Sequence, residues 1–345
     1  MYISIANSVG SSSSFVSGGL DAPVATAATG VGQTSFTANW NAYTGAVVYL
    51  LDVSESSDFS TFVYEDQQVN APSTSYVVIG LNPNTTYYYR VRASTEALTD
   101  ADYQAVLDYA TTQGYTLPSA GQQTLQNQLV VDLKAGGIWS KLDTFAVFAT
   151  NGDSDFALID WKRVSDYTAF NSPTFTTNIG FQGNGTSSYI DSNYNPVVNG
   201  VNLNLDSTSF GYYQAIARTT SGVGENIWGI GTSTGLWVRP ISPTRIYVNN
   251  STLFLSATSF VFNANQLVSV NRPNNTTINV YGDGVLLNTD STRTSSSIGS
   301  FNMRVFRNTT TSYNNSTISM VYAGGDLTAE SADFYNAWNT YLTSI

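Results

Sequence analysis

Histidine and cysteine are both absent from this 345-residue chain, and the two absences exclude most familiar catalytic chemistry. Without cysteine there are no disulfides, thiolate nucleophiles or cysteine-held zinc sites, so packing alone has to stabilise the fold. Without histidine the chain lacks the usual general base, the commonest transition-metal ligand and every Ser-His-Asp triad. A hydrolase built from this chain could use only carboxylates, lysine, tyrosine or serine.

Charge is also scarce, since only 11% of the residues are charged and the formal net charge is -11. The 13 basic residues are scattered, whereas phosphate binding needs clustered ones, so we expect no nucleic-acid partner. No stretch approaches the roughly 18 consecutive apolar residues of a membrane span. The start, MYISIANSVG, lacks the basic and apolar regions of a secretory signal, and we expect none. A hydrophobic fraction of 42% is ample for packed cores in two or three domains.

Residues 1–20 have a short apolar start followed by SSSS and GG, which is typical of an arm or linker. Chain ends without a core of their own normally fray. We therefore expect this arm to lie on a partner or on the next domain, with assembly contacts at Tyr2, Ile3, Ser4 and Ile5.

Residues 21–95 alternate in the β manner, with turn signals at short spacing, and predict a small antiparallel sandwich. The predicted strands are Val24–Ala28, Gln33–Trp40, Val47–Ser54, Tyr76–Leu81 and Tyr87–Ala93. In GLNPNTTYYYRVRA, Leu81, Pro83, Thr85 and Tyr87 stand where a tyrosine corner needs them. Trp40 falls where a core tryptophan should fill the space between the sheets. This stretch resembles a fibronectin type III domain.

One departure from that family concerns the last edge strand. After Ala93 the chain passes directly into STEALTDAD, without the strand that the family normally supplies there. An unpaired edge exposes a row of backbone donors and acceptors. We expect Tyr2–Ala6 or a neighbouring chain to close this gap, and no seventh strand at residues 94–98.

Residues 96–143 change to a helical period and predict a helical hairpin that links the β domains. Thr99 is the expected N-cap of a first helix that ends at Gly114, with an apolar stripe at Tyr103, Val106, Leu107 and Ala110. Ser119 and Gln122 form an expected capping box for a second helix, with a stripe at Leu125, Leu129 and Leu133. The hairpin should pack against a neighbour. Coiled-coil oligomerisation is the alternative, but the helices are short for it.

Residues 144–345 return to β and contain many short strand candidates, among them Phe156–Asp160 and Phe301–Phe306, which favours a two-sheet jelly roll. Thr328 is the expected cap of a last helix with a stripe at Phe334, Trp338 and Leu342. The predicted fold class is therefore mainly β: an N-terminal sandwich, a short helical linker and a C-terminal jelly roll that ends in a helix.

Three segments carry a second resemblance: FTTNIGFQGNGTSSYIDSNYNP, INVYGDGVLLN and AGGDLTAESADFYNAWNTYL. They resemble concanavalin A-like (laminin-G-like) jelly rolls, most of all those in structural proteins of tailed phages that infect Bacteroidetes. The resemblance implies a virion surface component such as a fibre, spike or decoration protein. It also implies a homotrimer, by analogy with fibres and spikes, and contacts with other virion proteins through the N-terminal region.

Catalysis by paired carboxylates is not expected. Glycosidases need two carboxylates about 5–10 Å apart, and the catalytic jelly rolls carry them in an E-x-D-x-x-E strand that this chain lacks. Asp160 could meet Asp166 or Asp191 in space, but nothing in the sequence selects them. The sequence predicts that the protein is not an enzyme.

The segment NGDSDF places Asn151, Asp153 and Asp155 together, and these side chains carry the hard oxygen ligands that calcium takes. Asn-Gly is also the strongest short hairpin signal, and we favour a turn. Asp283, between two glycines, is likewise predicted to lie in a hairpin turn. No cofactor is expected, with calcium at 151–155 as the alternative.

Aromatic and arginine side chains gather in residues 210–247, and such residues bind sugars by stacking and by reading hydroxyl groups. The candidate glycan-binding residues are Trp228, Trp237, Tyr212, Arg239 and Tyr247, whereas Trp161, Phe181 and Tyr189 are predicted core. Burial of both indoles would exclude this site. The predicted function is adhesion of a virion protein to host-surface or mucus glycans. A secreted bacterial carbohydrate-binding adhesin is the alternative, and a carboxylate-based glycan hydrolase the less favoured one.

Overall fold

A computed structural model describes residues 23–94, 99–217, 227–230, 236–239, 244–249, 251–255, 264–307 and 312–345; for residues 237–239, 244–245 and 251–255 it describes the backbone only. The chain divides into two compact units, Met1–Leu98 and Thr99–Ile345. Tyr2, Ile3, Ser4 and Ile5 lie outside the described residues.

Two three-stranded antiparallel sheets form the first unit, in the orders β1-β2-β5 and β4-β3-β6. The strands are β1 (Ala25–Thr29), β2 (Phe36–Trp40), β3 (Val48–Ser54), β4 (Tyr64–Asn70), β5 (Ser75–Val78) and β6 (Tyr88–Ser94). Trp40 is buried between the sheets and contacts Tyr49, with 5.5 Å between ring centroids. The backbone N–H of Asn82 donates to the Tyr87 phenol oxygen at 2.9 Å. The predicted core tryptophan and tyrosine corner are both confirmed.

The edges of this sandwich differ from the sequence prediction in one strand. β4 was not predicted, because its sequence YEDQQVN is almost entirely polar and it lies exposed at the edge of its sheet. At the opposite edge, β6 pairs only with β3 among the described strands. Residues 2–6 and 95–98 lie outside the described residues, so closure of the β6 edge stays a prediction.

The second unit contains four α-helices and seventeen strands among its described residues. The helices are α1 (Ala101–Gln113), α2 (Ala120–Ala135), α3 (Pro196–Asn199) and α4 (Ser331–Leu342). The first nine strands are β7 (Leu142–Val147), β8 (Ile159–Asp160), β9 (Ser165–Asp166), β10 (Thr168–Phe170), β11 (Thr174–Thr176), β12 (Gly180–Gln182), β13 (Tyr189–Asp191), β14 (Thr208–Ile216) and β15 (Trp228–Gly229). The remaining strands are β16 (Trp237–Arg239), β17 (Thr244–Val248), β18 (Ser251–Leu255), β19 (Gln266–Arg272), β20 (Ile278–Gly282), β21 (Val285–Asp290), β22 (Arg304–Val305) and β23 (Thr317–Gly324).

Two large antiparallel sheets, a two-stranded sheet of β8 and β9 and a helical layer build this unit. An eight-stranded sheet has the order β11-β12-β23-β14-β19-β20-β21, with β7 also paired to β23. A seven-stranded sheet has the order β10-β13-β22-β15-β16-β17-β18. Ile318, Val321 and Ala323 of β23 belong to the core between the sheets. Met320 and Tyr322 belong to a second core that the outer face of the eight-stranded sheet forms with α1, α2 and α4.

In this layering α1, α2 and α4 all pack on the eight-stranded sheet, and none of them covers the outer face of the seven-stranded sheet, which we call the open face. The predicted fold class is confirmed, since a mainly β chain carries two successive sandwiches and ends in a helix. The helical hairpin packs on the eight-stranded sheet and is part of the second unit.

The helix caps differ in detail from the predictions. Asp100 caps α1 by accepting a bond from Asp102 N, in place of the predicted Thr99. Ser119 caps α2 as predicted, accepting from Gln122 N at 3.3 Å. Glu330 precedes α4 without a side-chain cap, and the predicted cap Thr328 instead donates to Asp326. Asp and Ser compete well for these positions because their short side chains reach the free N–H groups of the first turn.

Several predicted strands are shorter in the structure, among them Gln33–Trp40, Tyr76–Leu81 and the two that follow. Phe156–Leu158 forms a 3-10 turn and only Ile159–Asp160 is extended, because Phe156 N donates to Asp153 Oδ1 and starts the turn. Within the predicted strand Phe301–Phe306, only Arg304–Val305 is paired. Asp283 lies in the predicted hairpin turn between β20 and β21, where Asp283 and Gly284 both have positive φ, as a type I′ turn requires.

Buried tyrosines predict how stability depends on pH. Burial raises the pKa of the phenols of Tyr103, Tyr167, Tyr194, Tyr212, Tyr322 and Tyr341. A raised folded-state pKa contributes stability below the unfolded value of about 10, and this stability is lost as the pH rises through the folded value. Because histidine and cysteine are absent, no side chain has an ordinary pKa between those of glutamate and tyrosine.

The free energy of unfolding is therefore expected to stay level from about pH 6 to 9 and to fall steeply above about pH 10. Urea titrations across this range, with tyrosinate absorbance followed in parallel, would measure it. A slope near neutral pH would contradict the expectation.

Candidate functional site

Backbone register places a row of residues across the open face of the seven-stranded sheet. Asp191 of β13 lies opposite Arg304 of β22, which lies opposite Gly229 of β15. Gly229 in turn lies opposite Trp237, and Trp237 opposite Tyr247. Their strand neighbours Ile190, Val305 and Ile246 point into the sandwich core, so this row lies on the outer face.

An aromatic cluster lies at one end of this row. Phe170 of β10 stacks on Tyr189 of β13, with 4.6 Å between ring centroids and 6° between ring planes. Tyr313 lies 6.5 Å from Tyr189. Phe170 is 40% exposed, whereas Tyr189 and Tyr313 are half-buried. The cluster therefore presents one phenyl ring to solvent on a support of two phenols, and we call these three residues the ring platform.

Two arginines adjoin the ring platform. The Arg307 guanidinium carbon lies 4.4 Å from the Tyr189 ring centroid and 5.4 Å from that of Tyr313. The guanidinium of Arg304 lies 5.7 Å from the Tyr189 centroid. The Tyr189 ring therefore contacts both the Phe170 ring and the Arg307 guanidinium at similar distances. These contacts fix the platform in one arrangement.

Asp191 holds Arg304 in place. Arg304 Nε donates to Asp191 Oδ2 at 3.0 Å, and the Asp191 side chain is only 9% exposed. Asn302 Nδ2 and the backbone N–H of Asn193 both donate to the other oxygen, Oδ1, at 2.8 and 3.0 Å. A carboxylate with three donors has little freedom to turn, so the guanidinium is oriented as well.

Trp228 and Tyr212 do not lie on this surface, which corrects two of the predicted glycan contacts. Both are fully buried in the core between the sheets. Trp228 Nε1 donates to Tyr322 O at 2.9 Å, so both its rings and its N–H are used internally. A ring without an exposed face cannot stack on a sugar. Tyr247 is half-buried on the open face, and the side chains of Trp237 and Arg239 lie outside the described residues.

Tyr189 was predicted as core, and Phe170, Tyr313, Arg304 and Arg307 were not singled out. Tyr189 is half-buried and packs against the core between the sheets, so its prediction was partly correct, while strand alternation puts it on the same face as Asp191. Trp161 and Phe181 are buried core residues, as predicted.

The residues proposed for calcium bind backbone N–H groups. Asp153 Oδ2 accepts from Thr116 N at 2.6 Å and Oδ1 from Phe156 N at 2.8 Å, and Asn151 Oδ1 accepts from Ser119 N at 2.9 Å. Asp155 directly precedes the 3-10 turn. These bonds tie the loop to the helical hairpin, so it is not a strand-to-strand hairpin turn. Among the described residues no three acidic side chains gather as metal ligands.

The three carboxylates considered for catalysis each accept hydrogen bonds from different donors. Asp160 is fully buried and accepts from Arg163 Nε and Thr144 Oγ1, both at 2.6 Å. Asp166 accepts from two tyrosine hydroxyls, of Tyr109 and Tyr115, and Asp191 is held as described above. Each carboxylate is engaged by its own donors, which is the arrangement of structural acids.

Residues 21–105 match the family model of the fibronectin type III domain. None of the curated proteins matches the chain in sequence. Among the described helices, none is both long and apolar enough to cross a membrane.

Three solved structures illustrate the similarity of fold. Domain 4 of AbnA, a GH43 arabinanase from Geobacillus stearothermophilus solved with arabinotriose, has 11% identity and a TM-score of 0.42, covering 56% of this chain and 98% of that domain. A botulinum neurotoxin type C, described as needing two ganglioside molecules for cell entry, has 15% identity and a TM-score of 0.44, covering 59% and 52%. The sialidase of Trypanosoma rangeli has 11% identity and a TM-score of 0.36, and the match covers 81% of this chain and 47% of the sialidase chain.

The chain spans about half the length of the neurotoxin and sialidase chains. At these identities and TM-scores the similarity does not extend to function.

Proposed function

We propose that the second unit is a glycan-binding module that acts by adhesion and not by catalysis. The observation that carries the proposal is the ring platform, because it presents the exposed ring of Phe170 beside oriented polar groups on the open sheet face. A phenyl ring of this kind can stack on the C–H face of a pyranose. Arg304, Arg307 and Asn302 then lie within the same patch to read hydroxyl groups.

The layering of the unit supports this choice of face. The outer face of the eight-stranded sheet is occupied by α1, α2 and α4, so its aromatic residues Tyr213 and Tyr322 are core. In the described part of the unit, the seven-stranded sheet alone keeps a face on which a polysaccharide chain could lie. A platform built on strands is also held more rigidly than one built on loops.

The proposal includes the setting that the phage jelly-roll resemblance implies. In it the chain is a trimeric surface component of a virion, attached through residues 1–95, and the second unit faces outward. The alternative setting is a secreted bacterial adhesin. Analytical ultracentrifugation of the purified chain would test the trimer, and detection of the chain in purified particles would test the virion setting. A stable monomer absent from particles would contradict both.

Replacing Phe170 with alanine is expected to weaken glycan binding about tenfold, because the exposed stacking surface is removed. Phe170→Tyr keeps the ring and should bind like the parent. Phe62→Ala, which removes a comparably exposed phenyl ring from the first unit, is the matched control and should change nothing. A glycan array followed by titration of the best ligand would measure this, with release of reducing ends followed in parallel. Equal binding by Phe170→Ala, or turnover of the bound glycan, would contradict the proposal.

A further inference from the structure

We infer that the ligand of the open face is a glycan that carries carboxylates, such as a polyuronate or a sialylated chain, and that Arg304 binds the carboxylate. This inference rests on the proposed glycan-binding function. It follows from where the arginines lie, how Arg304 is held and what surrounds it.

Two arginines lie beside the ring platform of an acidic protein. The chain has ten arginines and three lysines against 24 acidic residues. Arg304 and Arg307 both adjoin the ring platform. The exposed ring of Phe170 therefore has two cationic groups in its surroundings.

Arg304 is prepared for a planar anion. Its Nε is bound to Asp191, while its two terminal nitrogens make no hydrogen bond to any residue that the structure describes. The side chain is 23% exposed, so these nitrogens reach solvent from a partly desolvated position. A guanidinium whose Nε is anchored presents its two Nη groups as a fork, and this fork matches the two oxygens of a carboxylate.

The ring platform lies beside the fork. The Tyr189 ring lies 5.7 Å from the Arg304 guanidinium, and Phe170 stacks on Tyr189. Gly229, directly opposite Arg304 on β15, is buried, so a ligand would approach the fork from the platform side. A sugar stacked on Phe170 could therefore extend its carboxylate, or that of the next residue of the glycan, along the face toward Arg304.

Asp191 is a positioning residue in this arrangement. It faces Arg304 from β13 and is held on its other oxygen by Asn302 and Asn193, so it orients the fork and does not itself meet the ligand. Asp191→Asn keeps the size and removes the charge. It is expected to weaken binding of the carboxylated glycan several-fold while leaving binding of a neutral glycan unchanged.

The test compares four polysaccharides: polygalacturonate, its methyl ester, a sulfated galactan and a neutral galactan. The parent should bind polygalacturonate about ten- to a hundredfold more tightly than the methyl ester. Arg304→Gln should lose that difference, and Arg304→Lys, which keeps the charge without the fork, should retain only part of it. Arg293→Gln, which removes an arginine paired with Asp290 in the segment after β21, is the matched control. Thermal melts of all variants show whether each is folded.

The outcomes separate the two proposals. The carboxylate inference is wrong if the parent binds the ester and the neutral galactan as tightly as polygalacturonate. It is also wrong if Arg304→Gln and Arg304→Lys both bind like the parent. In either case the glycan-binding proposal stands. Preference for the sulfated galactan over polygalacturonate would overturn the choice of carboxylate. If no polysaccharide or glycan binds and Phe170→Ala changes nothing, the proposed function is wrong, and the inference fails with it.

Discussion

Replacing Arg272 with methionine is expected to lower the free energy of unfolding of the second unit by about 2–4 kcal/mol. Arg272 is fully buried at the end of β19. Its guanidinium donates to four backbone carbonyls, Arg293 O at 2.8 Å, Val248 O at 3.1 Å, Asn275 O at 3.2 Å and Asn274 O at 3.4 Å. The guanidinium thereby links the chain after β19, the chain after β21 and the end of β17, through hydrogen bonds that belong to no strand pairing.

Two effects compete at this position. Burial of the cation costs free energy, and it lowers the pKa of the guanidinium, with only Asp206 acting in the other direction. Replacing a buried charge by an apolar side chain is often neutral when its partners leave too. Here the partners are main-chain carbonyls, which stay behind and lose their donor. The penalty for unpaired carbonyls should therefore exceed the gain from removing the charge.

Urea unfolding followed by tryptophan fluorescence would measure this, since five of the six tryptophans lie in the second unit. Arg272→Ala should cost about 1–2 kcal/mol more than the methionine variant, because it also leaves a cavity. Arg293→Ala is the matched control, since its side chain is exposed and forms only a surface pair with Asp290. An unchanged urea midpoint for Arg272→Met would contradict this prediction. It would mean that the free energy gained by removing the buried charge equals the free energy lost with its four hydrogen bonds.

The second large effect is expected when Gln126 is replaced by leucine. This change should lower the free energy of unfolding of the second unit by about 2–4 kcal/mol. Gln126 is fully buried on α2. Its Oε1 accepts from the Tyr103 hydroxyl at 2.6 Å, and its Nε2 donates to Thr150 Oγ1 and to the Tyr341 hydroxyl, both at 3.1 Å. One amide thereby connects α1, α2, α4 and the end of β7, and leucine would leave these hydroxyls buried without it.

A combined variant separates lost bonds from lost packing. Tyr103→Phe removes the hydroxyl that loses its acceptor, so adding it to Gln126→Leu should recover part of the loss, whereas the Tyr341 hydroxyl is kept because it also donates to Ala149 O. Gln128→Ala on the exposed side of the same helix removes only a bond to Asp132 and should cost less than about 0.5 kcal/mol. If the combined variant is less stable than Gln126→Leu alone, the network is not the cause.

The same helix shows why part of the fold was predictable and part was not. Leucines repeating every four residues correctly indicated a helix. The buried positions, however, are Gln122, Gln126, Leu129, Val130 and Leu133, with Asn127 beside them. Hydrophobic periodicity cannot identify a buried glutamine, because its burial depends on partners far away in the sequence, such as Tyr341. For the same reason the predicted stripe at Leu125 was only partly correct, since Leu125 is half-buried.

The candidate site was less predictable than the fold because it depends on the phase of each strand. In Asn226-Ile227-Trp228-Gly229-Ile230 the apolar run is nearly continuous, so alternation does not say which way Trp228 points. The strand pairing decides it: Trp228 lies opposite the core residue Val305, so Trp228 is inside. Phe170 lies on a three-residue strand with no apolar alternation, and only pairing with Tyr189 reveals its place.

The position of β23 has a consequence for how the chain is made. This last strand lies inside the eight-stranded sheet, with β14 on one side and β12 and β7 in succession on the other. The sheet therefore cannot close until residue 324 has left the ribosome, and at about 5–20 residues per second the earlier strands wait for it with open edges. Contacts between such distant segments form slowly. The second unit should consequently reach its native state only after residue 324 has emerged, when β7 and β14 are joined by the strand that arrives last.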